Sequence, residues 1–257
     1  MTNILAISRR ELQSYFASPI AYVIIGLFAL LFGWFFNAIL AFFVRQSMQM
    51  GQFGMPGSGV MNINQQLIRP LFLNASVIVL FVMPMITMRT YSEEKRSGTI
   101  ELLLTSPISD LQIIVGKFLG AYALYGLMLG VTAIYMVILF WFGDPELWPV
   151  VSGYLGLLLL GGCFISLGLF ISSLTKNQIV AGMITFAAFL MLWVINWLGD
   201  STGPTTQAIV SYLSITEHFD DFARGVIDTK HVIFYLSFIV FGLFLTAKSV
   251  DSERWRG

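Results

Sequence analysis

RTYSEEKRSGTIELLLTSPISDLQIIVGKF, residues 89–118, holds eight of the 28 charged residues of a 257-residue chain that is otherwise strongly apolar. Hydrophobic residues make up 57% of the chain and mean hydropathy is +0.81, more apolar surface than a soluble domain can hide. The charged stretch therefore reads as a polar bridge between membrane-buried segments. Six charge-free apolar runs near the roughly 20 residues needed to cross a bilayer core surround it: Ile20 to Val44, Leu71 to Met88, Phe118 to Gly143, Leu147 to Leu174, Ile179 to Gly199 and Val232 to Ala247. The expected class is all-α, a polytopic membrane protein with six transmembrane helices. The first run is too long for a signal-peptide core and no A-x-A site follows it, so it is expected to be retained. Lys248 can snorkel from the last and shortest run.

Orientation follows from the basic residues. With both termini cytoplasmic, Arg9, Arg10, Arg89, Lys95, Arg96, Lys117, Lys176, Lys248, Arg254 and Arg256 lie inside, leaving Arg45, Arg69, Arg224 and Lys230 outside. The positive-inside rule selects this arrangement and places 89–117 in the cytoplasm. No basic surface points to nucleic acid. The single cysteine, Cys163, falls in the fourth run, so a disulfide within the chain is excluded.

Before the first span, residues 1–18 place Ile4, Leu5, Leu12, Tyr15 and Phe16 on one helical face and Arg9, Arg10, Gln13 and Ser14 opposite, the pattern of a helix lying in the membrane interface. Residues 46–69 are rich in Gly, Gln, Asn and Met and read as an outer loop; Met48, Met50, Met55 and Met61 are read as flexible apolar filler rather than ligands for a soft metal, so no metal site is expected. In the outer segment 200–231, Phe219, Phe222, Ala223, Val226 and Ile227 recur at helical spacing and predict an amphipathic helix on the outer surface.

None of the six runs contains Asp, Glu, Lys, Arg or His, whereas ion-coupled carriers and charged-ring channels place ionisable groups at membrane depth. Asn37, Asn74 and Asn196 are expected to bond between helices. Gly116, Gly120, Gly126 and Gly130, with Gly162 and Ser166, predict close packing of the third and fourth spans. The chain has no G-x-x-x-x-G-K-[ST], no HExxH and no GxSxG. His218 and His231 read as isolated and structural. Catalysis within the chain is not expected.

The charged bridge is built to be stiff. Ser97-Gly98 is positioned to start a short helix with Glu101 near its positive end, and Pro107 ends it at Ser106. Ser109 and Gln112 have capping-box spacing, starting a helix that runs through Lys117 into the third span. The ridge Ile100, Leu102, Leu103 and Leu104 beside so much charge requires cover by a partner or the membrane.

EEKRSGTIELLLTSPIS followed by GKF resembles the signature of the permease subunits of ABC-2 type transporters. The resemblance extends over essentially the whole chain: an N-terminal amphipathic helix, six spans and a short tail. It implies that Glu93, Arg96, Gly98, Thr99, Glu101, Leu103, Pro107 and Lys117 belong to the region of a coupling helix that docks on a separate ATPase subunit, with Arg9 and Arg10 bracing the same interface. EHFDDFARGVIDTKHVIFYLS is similar to the segment before the last span in the branch that includes gliding-motility-associated permeases, and His218, Phe219, Phe222, Arg224, Gly225 and Asp228 match it.

The resemblance implies a single transmembrane domain over 1–257 in the bacterial cytoplasmic (inner) membrane, working with two ATPase subunits and a second permease chain, identical or related. ATP and Mg would be held by those partners, and this chain would hold no cofactor. Transport, with export as the direction, is the leading expectation; transmission of force to an envelope accessory protein is the alternative. Membrane lipid is the remaining partner.

Overall fold

The computed structural model describes residues 2–52, 62–100, 108–199 and 214–254. All regular structure among them is helical: α1 (Thr2–Ala17), α2 (Ile20–Gln52), a π-helical turn (Asn64–Ile68), α3 (Arg69–Thr87), α4 (Ser92–Ser97), α5 (Asp110–Phe142), α6 (Leu147–Leu174), α7 (Gln178–Gly199), α8 (Ile215–Ala223) and α9 (Thr229–Arg254). Six segments are long and apolar enough to cross a membrane: Ile20–Gln49, Asn64–Ser97, Asp110–Phe142, Leu147–Leu174, Gln178–Ile195 and Thr229–Glu253. The six expected spans are all present.

α6 is the axis of the bundle, packed by α3, α5, α7, α8 and α9. Lipid supplies no hydrophobic drive between helices, so contact depends on close approach of small residues. Accordingly, Phe222 of α8 seats against Gly156, Ile239 of α9 against Gly162, and Gly242 of α9 against Ser166. Gly162 and Ser166 thus do pack closely, Ser166 against α9 and Gly162 against both α9 and Tyr122 of α5. Tyr125 of α5 donates to the Leu157 carbonyl at 2.6 Å, satisfying a buried hydroxyl across the α5–α6 contact.

Gly116 and Gly120 depart from expectation. They receive α1 instead of another span: a Cβ at Gly116 would lie 2.7 Å from Ile7 Cβ, and one at Gly120 2.7 Å from Glu11 Cβ. Nothing lies within 4 Å of a Cβ at Gly126 or Gly130. α1 is therefore docked along the first turns of α5, and its docking face carries Ile7 and Glu11 as well as Tyr15. Leu5, on the apolar face expected to lie in the membrane interface, is 67% exposed.

Several local expectations are corrected. Ser97-Gly98 does precede a helix, which starts at Thr99, but it also closes one: α4 ends at Ser97 and Gly98 takes the left-handed conformation, φ 74°. Ser109 is the N-cap of α5 by position, but its side chain makes no capping bond, and the Gln112 amide instead accepts from Asn3 at 3.5 Å. Asn74 donates to Pro70 of its own helix at 2.7 Å, so it does not bond between helices, and Asn37 is exposed. α2 continues to Gln52 into the expected outer loop. The side chain of Asn196, and residues Met55 and Met61, lie outside what is described.

Candidate functional site

Two polar clusters sit at opposite ends of α6. At the end carrying α1 and α4, Lys117 of α5 is 2% exposed at its side chain, and a cation buried so fully needs partners. Its ammonium donates to Glu94 of α4 at 2.7 Å, to the Thr90 carbonyl at 3.0 Å and to Glu11 of α1 at 3.4 Å, and stands 5.1 Å from the Tyr91 ring centroid. One cation thus joins three separate elements. Burial pushes the Glu11 carboxyl above its ordinary value, with Glu94 acting in the same direction and Lys117 opposing.

The surrounding contacts fix the same junction. Tyr15 donates to the Ile86 carbonyl at 3.0 Å and meets Thr90 Oγ1 at 3.2 Å, while Arg89 lies 5.1 Å from the Tyr15 ring centroid and donates to the Ser14 carbonyl at 3.2 Å. From α6, Ser172 Oγ accepts from the Tyr91 and Ser92 backbone N–H groups at 3.1 and 3.2 Å, capping the start of α4 with a side chain from another helix. Lys95 joins the last turn of α9 through Glu253 at 2.6 Å. α4 is held by α5, α6 and α9 together. Between α1 and α4 lies a cavity of about 200 Å³ bounded by Arg10, Glu11, Arg89, Glu93, Glu94 and Lys117.

Of the residues expected at a coupling interface, Arg10, Glu93, Thr99 and Lys117 line this cavity, and Arg9, Arg96 and Gly98 are exposed near it. Glu101, Leu103 and Pro107 lie outside the described residues, as do Leu102 and Leu104. Sequence reasoning missed Glu11, Glu94, Tyr15 and Ser172 as its fixing groups. The signal was Lys117 itself: a lysine between Gly116 and Phe118 on a helix demands nearby carboxylates.

At the far end, α8 packs into the bundle. Ser214 caps it, Phe219, Phe222 and Ala223 are buried, and Ser152 of α6 donates to the Phe222 carbonyl at 2.9 Å. The helix ends at Ala223, and the turn through Gly225, φ 92°, leaves Val226 and Ile227 outside it and exposed, contrary to the expected longer surface helix. That turn brings the two histidines together, so they are not isolated. His218 Nδ1 and His231 Nδ1 are 2.5 Å apart, and His231 Nε2 donates to Asp221 at 2.7 Å. Because Nε2 must carry a proton to face a carboxylate, the Nδ1 pair shares one further proton between two nitrogens. His218 stacks on Phe234 at 3.9 Å.

This chain wall borders a cavity of about 890 Å³ lined also by Asp221, Lys230 and Phe238. Backbone and side-chain bonds from Lys230 hold the Asp228 carboxyl below its ordinary value. Among the described residues no group of three His, Cys, Asp or Glu is placed to hold a metal ion. The described residues of the outer signature, His218, Phe219, Phe222, Arg224, Gly225 and Asp228, thus gather around one turn. The missed partners here are Asp221, on His231, and Asp220, which pairs with Arg69 of α3 at 2.8 Å. Two histidines 13 residues apart across a glycine turn were the available signal.

A bundle of six apolar helices with a docked N-terminal helix and an ion-paired junction between its second and third spans defines a multi-pass membrane component. The family description "ABC-2 family transporter protein" matches residues 47–216, well over half of the chain, and the chain belongs to that family. It is accordingly a permease component of an ABC transporter. No curated protein matches it.

Proposed function

We propose that this chain is the membrane subunit of an ATP-driven exporter in the bacterial inner membrane, moved by a separate ATPase that docks on the segment from Glu93 to Pro107. The observation that carries the reading is the Lys117 junction. Through it, α4 and α1 are bound to the start of α5. A push on the docking segment therefore enters α5 directly, and α5 runs unbroken from Asp110 to Phe142. The push becomes a tilt or shift of that span against its partner.

Two ATPase subunits, holding ATP and Mg, pair with two permease chains, identical or related, and both termini face the cytoplasm. The whole chain acts as one transmembrane unit. Arg9, Arg10, Arg96 and Glu101 make the charge-assisted contacts to the ATPase, with Glu93, Gly98, Thr99, Leu103 and Pro107 shaping the docked segment. The signature over 217–237, which lies past the matched residues, supports placing the chain in the branch that includes gliding-motility-associated permeases.

The test is purification from native membranes in mild detergent, with mass spectrometry of the co-purifying chains and an ATPase assay. A P-loop subunit is expected to accompany the wild type and to be lost from a variant carrying Arg96→Glu and Glu101→Arg. Retention of that subunit and of its ATPase activity by the variant would remove these residues from the interface.

A further inference from the structure

We infer that the far-end cavity bounded by Asn64, Gln65, Arg69 and Arg224 binds a phosphate group carrying a single negative charge. The cavity is about 300 Å³, the size of a small ligand or headgroup rather than of an acyl chain, and those four residues line it. Two guanidinium groups and two side-chain amides make a wall of hydrogen-bond donors. Guanidinium forks match phosphate oxygens in shape as well as charge.

The charge count at the site is what selects the ligand. Arg69 reaches Asp220 Oδ1 through Nε at 3.0 Å and Nη2 at 2.8 Å and Oδ2 through Nη2 at 3.1 Å, and Arg224 reaches Oδ2 of the same carboxylate at 2.5 Å. Two cations sharing one anion leave a net charge of one positive unit. The arginine side chains keep 35% and 52% of their surface, so each has donors turned outward while one edge is held by Asp220. A phosphodiester or singly charged phosphate neutralises the site; a second metal-like cation or a neutral sugar does not.

The backbone places these donors deliberately close. The turn Asn64–Ile68 is π-helical, closed by the Arg69 N–H donating to the Asn64 carbonyl, which stacks residues five apart and sets Asn64 beside Arg69. Asn64 Oδ1 already accepts the Glu146 N–H at 3.2 Å, which leaves its Nδ2 as the donor end. Arg69 opens α3, two residues before buried Leu71, so the site lies where an apolar span meets its polar boundary. Phosphates of a leaflet and phosphate in solution can both reach that level.

The inference does not depend on coupling to an ATPase, and its readout is binding alone. Full-length protein in detergent is titrated with short-chain phosphatidylglycerol in one arm and with inorganic phosphate in the other, following thermal melting and binding heat. Arg224→Gln is expected to weaken binding at least tenfold; it leaves the Arg69–Asp220 pair in place, so the fold persists. Asp220→Asn raises the net charge by one unit and is expected to tighten binding severalfold, although it cuts a tie between α3 and α8. Binding confined to the phosphatidylglycerol arm assigns a lipid headgroup. Competition by inorganic phosphate assigns a free anion. Equal affinity of wild type and Arg224→Gln in both arms, or weaker binding by Asp220→Asn, overturns the inference.

Discussion

Lys117 and Glu94, 23 residues apart in the chain, meet at 2.7 Å with the lysine almost wholly buried. The pair joins the entry of the third span to the helix that follows the second. Its geometry makes the lysine, rather than either carboxylate, the member that cannot be removed.

Lys117→Met is expected to destabilise the fold by about 3–5 kcal/mol, because it strands Glu94 and Glu11 in a site that no longer holds a cation. Melting in detergent checks this. Adding Glu94→Gln and Glu11→Gln should recover much of the loss; a triple variant as unstable as the single one would show that packing of the lysine stem, not charge, sets the cost.

Glu11 carries the opposite expectation. Its carboxyl is raised above the ordinary 4.5, so the folded state favours the protonated form. The associated stability is present below the ordinary value and is lost as pH rises through the elevated one. Glu11→Gln should therefore match the wild type in melting temperature near the acid end and exceed it increasingly toward neutrality. A difference independent of pH would contradict the burial argument.

The glycines of α5 should separate by position. Gly120→Leu drives a side chain into Glu11 and Ser8 of α1, an overpacking worth about 1–3 kcal/mol, and should release α1 to proteolysis. Gly126→Leu enters open space and should leave α1 protected. Equal protection in both variants would mean that α1 is not seated where Gly116 and Gly120 leave room.

Gly225→Ala should cost more than Gly98→Ala. Both glycines have positive φ, for which an alanine costs roughly 1–2 kcal/mol. At Gly225 the new Cβ also meets Pro149 at 3.1 Å, whereas at Gly98 it meets nothing within 4 Å. Paired melting curves give the difference.

The spans were legible because a bilayer sets their length and excludes charge, and both constraints are local. α1 was legible as an amphipathic helix but not in its docking face, since Ile7 and Glu11 matter only against the glycines of α5. The same holds for the polar clusters. Lys117 was visible as a matching residue, but its carboxylates come from residues 11 and 94. The histidine pair needed the turn at Gly225, whose left-handed backbone a lone glycine permits without announcing. Only half of the break at Gly98 was legible: the helix that starts at Thr99 was expected, whereas α4 ending at Ser97 was not, because a Ser-Gly pair serves both the start of one helix and the end of another.

The seat of α1 also dictates an order of biosynthesis. Glu11 finds Lys117 only after a further 106 residues have been made, roughly 5–20 s at ordinary elongation rates. Ser172, which caps α4, follows about 80 residues behind the groups it holds, and Glu253 follows Lys95 by 158. During synthesis α1 waits undocked until the first turns of α5 have been made, and the tie from α4 to α9 waits for residue 253. The lysine junction can thus close well before the Lys95–Glu253 tie.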